Sequence, residues 1–241
     1  MNIRYDGKVA VVTGGTRGIG RSIAELLHDS GADVIVTGTS QHAPNELPSY
    51  LRYEQLDVQY DESLSRFVSA VASMKRIDVL VNNAGINIIE RIDEVSMANF
   101  TKVLDVNLKG PFVLIQAAIN VMKRNGGRVL NIGSIWSRVT RQGRTSYIVS
   151  KSALDGLTRA AATDAAEWNI LVNTLSPGFV DTDLTRKSLN EAQIRELQEK
   201  IPIGRLADPA EIAWLAAFLC SERNTYLTGQ NIIIDGGFVN V

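Results

Sequence analysis

The stretch KVAVVTGGTRGIGRSIAELLHDSG, residues 8–31, decides the fold. Residues 8–13 form an apolar run without polar alternation, as expected of a strand covered on both faces. Glycines follow at Gly14, Gly15, Gly18 and Gly20, and IGRSIAELLHDSG then shows helical apolar spacing that stops at Gly31. A buried strand, a glycine turn and a helix open a βα unit. Small residues in such a turn let the backbone approach a pyrophosphate, whose charge the helix N-terminus favours. Ordinary turns also use glycine, so the position directly after a buried strand gives the motif its weight. The spacing Gly14-x3-Gly18-x-Gly20 is not GxGxxG, and no GK[ST] follows, which disfavours a Walker-type loop.

Outward from this unit the pattern repeats. Strands are predicted at DVIVT (33–37), YEQLDV (53–58), IDVLVNNAG (77–85), GRVLNIGS (127–134), ILVNTLSPG (170–178) and NIIIDGG (231–237). Helices are predicted in ESLSRFVSAVASMK, over about 97–124, over about 146–167, and in PAEIAWLAAFLCSE. Pro44 and Pro48 oppose a helix between the second and third strands. A polar, helix-prone insertion covers 183–200. No linker, repeat or low-complexity tract interrupts the chain. The expected fold class is α/β: one Rossmann-type domain over 1–241, doubly wound, with a seven-stranded parallel sheet and helices on both faces.

Composition bounds the chemistry. The chain has 241 residues, 45% hydrophobic and 21% charged, with a formal net charge of −1. No long basic run is present, so neither nucleic acid nor an anionic membrane is an expected partner. The single Cys220 lies in an apolar helical pattern and reads as core. With only His28 and His42, a histidine-rich metal site is excluded, and no GxSxG elbow supports a triad hydrolase. The polar start MNIRYDGK does not read as a signal peptide, and no apolar run reaches membrane-spanning length, so a cytoplasmic protein is expected.

The stretch SIWSRVTRQGRTSYIVSK, 134–151, carries the chemistry. Tyr147 and Lys151 are four residues apart, on one face of a helix. A neighbouring ammonium favours phenolate and is expected to lower the tyrosine pKa from about 10, which suits proton transfer. Ser134, at a strand end, can hydrogen-bond the same substrate oxygen. A solvated helix face would show the same pair by chance. Other motifs also fall at strand ends or inside helices: Asn82-Asn83-Ala84-Gly85, Asn107 in an otherwise apolar helix, and Ser176-Pro177-Gly178-Phe179-Val180-Asp181-Thr182. A buried Asn107 needs partners, as a structural node or part of a proton relay.

Together these stretches resemble the short-chain dehydrogenase/reductase family. TGGTRGIG is similar to its cofactor turn, NNAG to its central-strand motif, and Asn107, Ser134, Tyr147 and Lys151 to its catalytic four, with Ser-x12-Tyr-x3-Lys spacing. The resemblance covers the whole chain and implies hydride transfer between a nicotinamide cofactor and a ketone or secondary alcohol. It implies Tyr147 as acid, Ser134 holding the substrate oxygen, Lys151 binding the nicotinamide ribose, and Asn107 anchoring a relay water. It implies a cofactor set of Gly14, Thr16, Arg17, Gly18, Ile19, Gly20, Asp57, Val58, Asn83, Ala84, Gly85, Tyr147, Lys151, Pro177, Gly178, Val180 and Thr182. Asp57 reads alternatively as a turn cap.

NAD-preferring relatives place an acid after the second strand; here Gly38, Thr39 and Ser40 stand there. Hydroxyls at Thr39 and Ser40, with Arg17, suit a 2′-phosphate, so NADP(H) is favoured over NAD(H). The 183–200 insertion resembles the family's variable substrate lid. The C-terminal IPIGRLADPAEIAWLAAFLCSERNTYLTGQNIIIDGG is similar to 3-oxoacyl-carrier-protein reductases. Lys123, Arg124 and Arg128 could meet an acidic carrier, yet Asn125 and Trp168 stand where that subgroup suggests arginine. Trp136 and Arg138 are read as pocket residues for a polar or ring substrate such as a sugar, with packed core as the other reading of Trp136. A small-molecule ketone or alcohol is therefore placed ahead of an acyl-carrier substrate. A nonenzymatic nucleotide sensor is the alternative of another class, opposed by the intact Ser134–Tyr147–Lys151 set. The family analogy implies a homotetramer or homodimer.

Overall fold

The computed structural model describes residues 3–241. The strands are β1 (Val9–Val12), β2 (Asp33–Gly38), β3 (Arg52–Gln55), β4 (Val79–Asn82), β5 (Gly127–Ile132), β6 (Ile170–Pro177) and β7 (Asn231–Ile234). They form one sheet in the order β3-β2-β1-β4-β5-β6-β7. Every pairing is parallel. Within β1, Ala10 and Val12 face one layer while Val11 faces the other, and all three are wholly buried. Alternation thus survives in orientation but not in polarity, because both faces are covered.

Helices α1 (Gly18–Asp29), α2 (Asp61–Ser73), α3 (Met97–Leu104), α4 (Gly110–Met122) and α5 (Thr145–Ala165) follow in chain order. They are joined by α6 (Asp183–Ser188), α7 (Glu191–Glu199) and α8 (Pro209–Cys220). Ile23 and Leu27 of α1 and Ile212 and Ala216 of α8 cover one face of the sheet. Phe67 of α2, Leu114 of α4 and Ala162 of α5 cover the other. Asp208 caps α8 in a reciprocal box with Glu211, ahead of Pro209 in the first turn.

The structure trims several expected elements. No helix bridges β2 and β3, consistent with Pro44 and Pro48, and β3 ends at Gln55 rather than at 58. β4 ends at Asn82, so Asn83-Ala84-Gly85 is loop at the carboxyl edge of the sheet. The helix expected over about 97–124 is interrupted by a five-residue π turn, Asp105–Lys109. Residues 183–200 fold as α6 and α7, the latter with a capping box from Asn190 to Gln193. Among the described residues no helix is long and apolar enough to cross a membrane.

Candidate active site

β1 and β4 are adjacent although β2 and β3 intervene in sequence, so their carboxyl ends flank the switch point of the sheet, where open α/β folds bind ligands. Thr13 ties the two ends together: its Oγ1 accepts from Asn83 N (3.0 Å) and Ala84 N (3.1 Å). Asn83 Nδ2 donates to the carbonyls of Thr13 and Gly14, both at 3.0 Å. Gly14 turns with φ +62°, and a Cβ there would come within 3.0 Å of Ala84 Cα. A Cβ on Gly20 would collide with the Asn83 amide and the Gly14 carbonyl. The turn is thus a tight backbone cradle opening α1, whose N-cap, Arg17, provides no side-chain cap. First-turn amides left without such a cap suit an anion.

The remaining expected cofactor residues surround this cradle unevenly. Thr16 abuts Gly38 together with Tyr53, and the Tyr53 hydroxyl donates to Ser40 O. Thr39 and Ser40 are exposed, as is Arg17, whose guanidinium has no partner among the described residues. Ile19 is partly buried against the α1–α8 layer. Thr182 caps α6 and lies beside Gly18. Pro177 ends β6, Gly178 follows against Asp235, and Val180 is buried. Asp57 is seen as a turn cap: its Oδ1 accepts from Gln59 N at 3.0 Å. Val58 packs beside Gly110 in the core.

Tyr147 and Lys151 both sit in the first two turns of α5, and Ser134 follows β5, so the three converge at the same edge. Burial raises the Tyr147 pKa, opposed by the neighbouring Ser134 hydroxyl and by the charge of Arg144. The lowered phenol pKa expected from the Tyr147–Lys151 spacing is therefore not what the geometry gives. The reason is direction: Lys151 Nζ donates to Ile132 O at 2.7 Å and lies 5.6 Å from the Tyr147 ring centroid. Lys151 is 4% exposed, and burial lowers its pKa to about 8, against the opposing pull of Asp155.

Asn107 lies in the π turn and is buried. Its Nδ2 donates to Ile86 O (2.9 Å) and Ser150 Oγ (3.0 Å), and its Oδ1 accepts from Ile86 N (2.9 Å). Both amide donors are therefore committed to the protein. Ser150 Oγ passes the connection on to Tyr147 O at 2.8 Å. Gly85 lies beside both Asn107 Oδ1 and Lys151 Nζ, which brings the loop after β4 to this cluster.

Trp136 is buried edge-on to Phe179 (6.1 Å), which in turn meets Phe238 edge-on (5.1 Å). Phe179 and Phe238 also pack against the cluster of Leu197, Ile201 and Leu206, which joins α7 to this wall. The guanidinium beside the indole is not that of Arg138, which is exposed, but that of Arg144, 5.9 Å from the ring centroid.

A family model described as enoyl-(acyl carrier protein) reductase, of the short-chain dehydrogenase type, matches residues 14–239. The chain belongs to the short-chain dehydrogenase/reductase family. Among its relatives in this family, the 3-oxoacyl-[acyl-carrier-protein] reductase FabG of Aquifex aeolicus is 37% identical over 98% of this chain and 99% of its own. FabG of Vibrio cholerae is 38% identical over 98% of each chain. A crystal structure of a candidate NAD(P)-dependent gluconate 5-dehydrogenase from Beutenbergia cavernae, with NADP bound at low occupancy, superposes with a TM-score of 0.93. It is 33% identical and covers 100% of both chains. A candidate gluconate dehydrogenase from Agrobacterium tumefaciens gives a TM-score of 0.90 at 29% identity, covering 100% of this chain and 99% of its own. This short-chain dehydrogenase/reductase is thus an NAD(P)-dependent oxidoreductase acting on CH–OH and C=O groups.

Sequence reasoning on this family member named Asn82 only as part of a strand-end motif and passed over the residues it is bonded to. Asn82 Nδ2 donates to Asn131 Oδ1 (2.9 Å), and Asn131 Nδ2 donates to Thr158 Oγ1 (2.8 Å). Thr158 and Thr174 hydroxyls share a bond of 2.7 Å. This ladder runs from β4 through β5 to α5 and β6, fixing the helix that carries Tyr147 and Lys151. A signal was present: polar residues inside strands covered on both faces must be bonded. Thr13 and Ser150 join the site through backbone contacts that no spacing rule announces.

Proposed function

We propose that this chain is an NADP-preferring ketone reductase, reversible as a secondary-alcohol dehydrogenase, with Tyr147 as its proton donor. The convergence of Ser134, Tyr147 and Lys151 at the carboxyl edge carries this reading. A phenol kept protonated by burial is ready to give its proton to an oxygen that is gaining charge. Ser134 is a second donor aimed at that same oxygen, so the developing alkoxide forms against groups already in place. Lys151, buried with a pKa near about 8, holds its ammonium at Ile132 O and is the candidate for the nicotinamide ribose. NADP(H), when bound, supplies or accepts the hydride. Asn107 and Ser150 position the first turn of α5 rather than offering a free side-chain donor.

The glycine cradle, closed to any side chain at Gly20, fits a pyrophosphate, with Arg17, Thr39 and Ser40 exposed beside it and no acid after β2. That absence of a competing carboxylate supports NADP(H) over NAD(H). The partly exposed edge strand β7 supports an oligomer, as do half-exposed Phe112 of α4, Val149 of α5 and Trp214 of α8. A homotetramer uses two such faces.

A second reading, reduction of 3-oxoacyl groups on an acyl carrier, is supported by what the FabG relatives are named for. Lys123 and Arg124 are exposed at the end of α4, where they can meet an acidic carrier. Lys123 also lies 4.4 Å over the Trp168 ring, while Arg128 spends its donors on the carbonyls of Gly127, Asn169 and Asn224.

The deciding experiment follows NADPH and NADH oxidation with a 3-oxoacyl thioester, keto-sugars, cyclic ketones and a diketone. NADPH-dependent turnover that disappears in Tyr147→Phe, with cofactor binding retained, is expected. Normal turnover by Tyr147→Phe would sink the mechanism, and preference for the thioester would favour the acyl-carrier reading.

A further inference from the structure

Three arginines of the described chain are partly buried: Arg21, Arg128 and Arg144. Arg21 pairs with Glu25, and Arg128 donates to backbone carbonyls. Arg144 makes no side-chain hydrogen bond and no ion pair among the described residues. Burial and the neighbouring charge of Arg141 both oppose its charged form. It stands at the N-cap of α5, three residues before Tyr147, and close enough for its charge to act on the phenol. Its guanidinium lies 5.9 Å from the Trp136 ring centroid, beside the aromatic wall that continues through Phe179. Half-burying a cation without an acceptor is costly, and such sites are kept where something else supplies the acceptor.

We propose that Arg144 is a specificity-determining residue that binds a carboxylate on the substrate, so that the preferred substrates are keto acids and their hydroxy-acid counterparts. One guanidinium carries one positive charge in a planar fork, which matches a carboxylate. Its place one helical turn before Tyr147 puts the anion near the reacting carbonyl while leaving that carbonyl to Ser134 and Tyr147. The Trp136 indole, itself buried, backs the guanidinium from the protein side. The inference rests on the ketone-reductase reading and narrows it: a neutral ketone or a thioester leaves Arg144 without its acceptor.

The test uses matched probes, 4-oxopentanoate and 5-oxohexanoate against their methyl esters, and a keto-aldonate against a neutral ketose. Turnover is read as NADPH oxidation by wild type, Arg144→Gln and Arg144→Lys. Binding is read independently, as quenching of NADPH fluorescence in the catalytically silenced Tyr147→Phe holoenzyme with and without Arg144→Gln. At least one acid should exceed its neutral partner in kcat/KM by tenfold or more in wild type. Arg144→Gln should lower that acid-to-neutral ratio by about 10–100-fold, the range for a charge-assisted hydrogen bond, chiefly through KM. Arg144→Lys should fall between the two. Equal turnover of acids and neutral partners, or equal losses in Arg144→Gln, overturns the proposal while leaving the reductase reading intact. Acids that bind in an Arg144-dependent way without any turnover uphold the anion site and overturn the reductase reading. Acids neither bound nor reduced overturn the proposal.

Discussion

Replacing Lys151 by methionine should make the cofactor-free protein more stable while abolishing its turnover. Lys151 is 4% exposed, and its pKa is lowered from 10.5 to about 8. A folded-state pKa below the unfolded value means that the charged amine opposes folding. At about 1.4 kcal/mol per pKa unit, keeping it protonated at pH 7 costs the folded state about 3 kcal/mol. The penalty is fully present below the folded pKa and fades as pH rises towards the unfolded value, leaving about 1 kcal/mol at pH 9.5. Lys151→Met removes the penalty but leaves Ile132 O without its 2.7 Å donor. That loss offsets about 1–2 kcal/mol. The variant should therefore be more stable by about 1–2 kcal/mol at pH 7, raising Tm by about 2–8 °C for a chain of this size. Its advantage should shrink by about 2 kcal/mol between pH 7 and pH 9.5. Denaturant unfolding of both proteins at the two pH values measures this directly, since Tyr5, Cys220 and every other titrating group is common to the pair. A Lys151→Met protein less stable at pH 7, by an amount that does not change with pH, would refute the reasoning.

Two further perturbations probe the scaffold. Asn131→Leu should destabilise by about 2–3 kcal/mol because Asn82 loses its buried acceptor, whereas Asn82→Leu/Asn131→Leu, with both partners apolar, should regain at least half; simple additivity in urea titrations would contradict the ladder. Gly20→Ala should keep the fold yet raise the Kd for NADPH at least tenfold by fluorescence titration, because the added methyl collides with the Asn83 amide and the Gly14 carbonyl; an unchanged Kd would count against the cradle.

The strand–glycine–helix unit at 8–31 was legible because a parallel strand buried on both faces leaves an uninterrupted apolar run. The Ser134, Tyr147 and Lys151 spacing was legible because one helical turn fixes which residues share a face. Spacing does not fix where a long side chain ends, which is why Lys151 reaches Ile132 O instead of the phenol. Arg138 is the sequence neighbour of Trp136, but the chain returns through Gly143 (φ +78°) and brings Arg144 to the indole. Proximity across a loop is a property of the fold and leaves no periodic trace. Cys220 read correctly as core: burial pushes its thiol up to about 12, so it stays protonated and unreactive.

The π turn at Asp105–Lys109 has a consequence for how such chains vary in length. A π turn holds one residue more than the α-helical path it replaces. Deleting a single residue there would give a more regular helix joining Ser96 to Met122, with better local hydrogen bonding. It would leave the flanking turns nearly in register, because the deleted residue is the one the π turn accommodates, but it would remove the bulge that holds Asn107. Asn107 would then leave Ile86 and Ser150, and the first turn of α5 would lose its tether. In this segment local regularity and the Asn107 tether are alternatives, and the fold takes the tether.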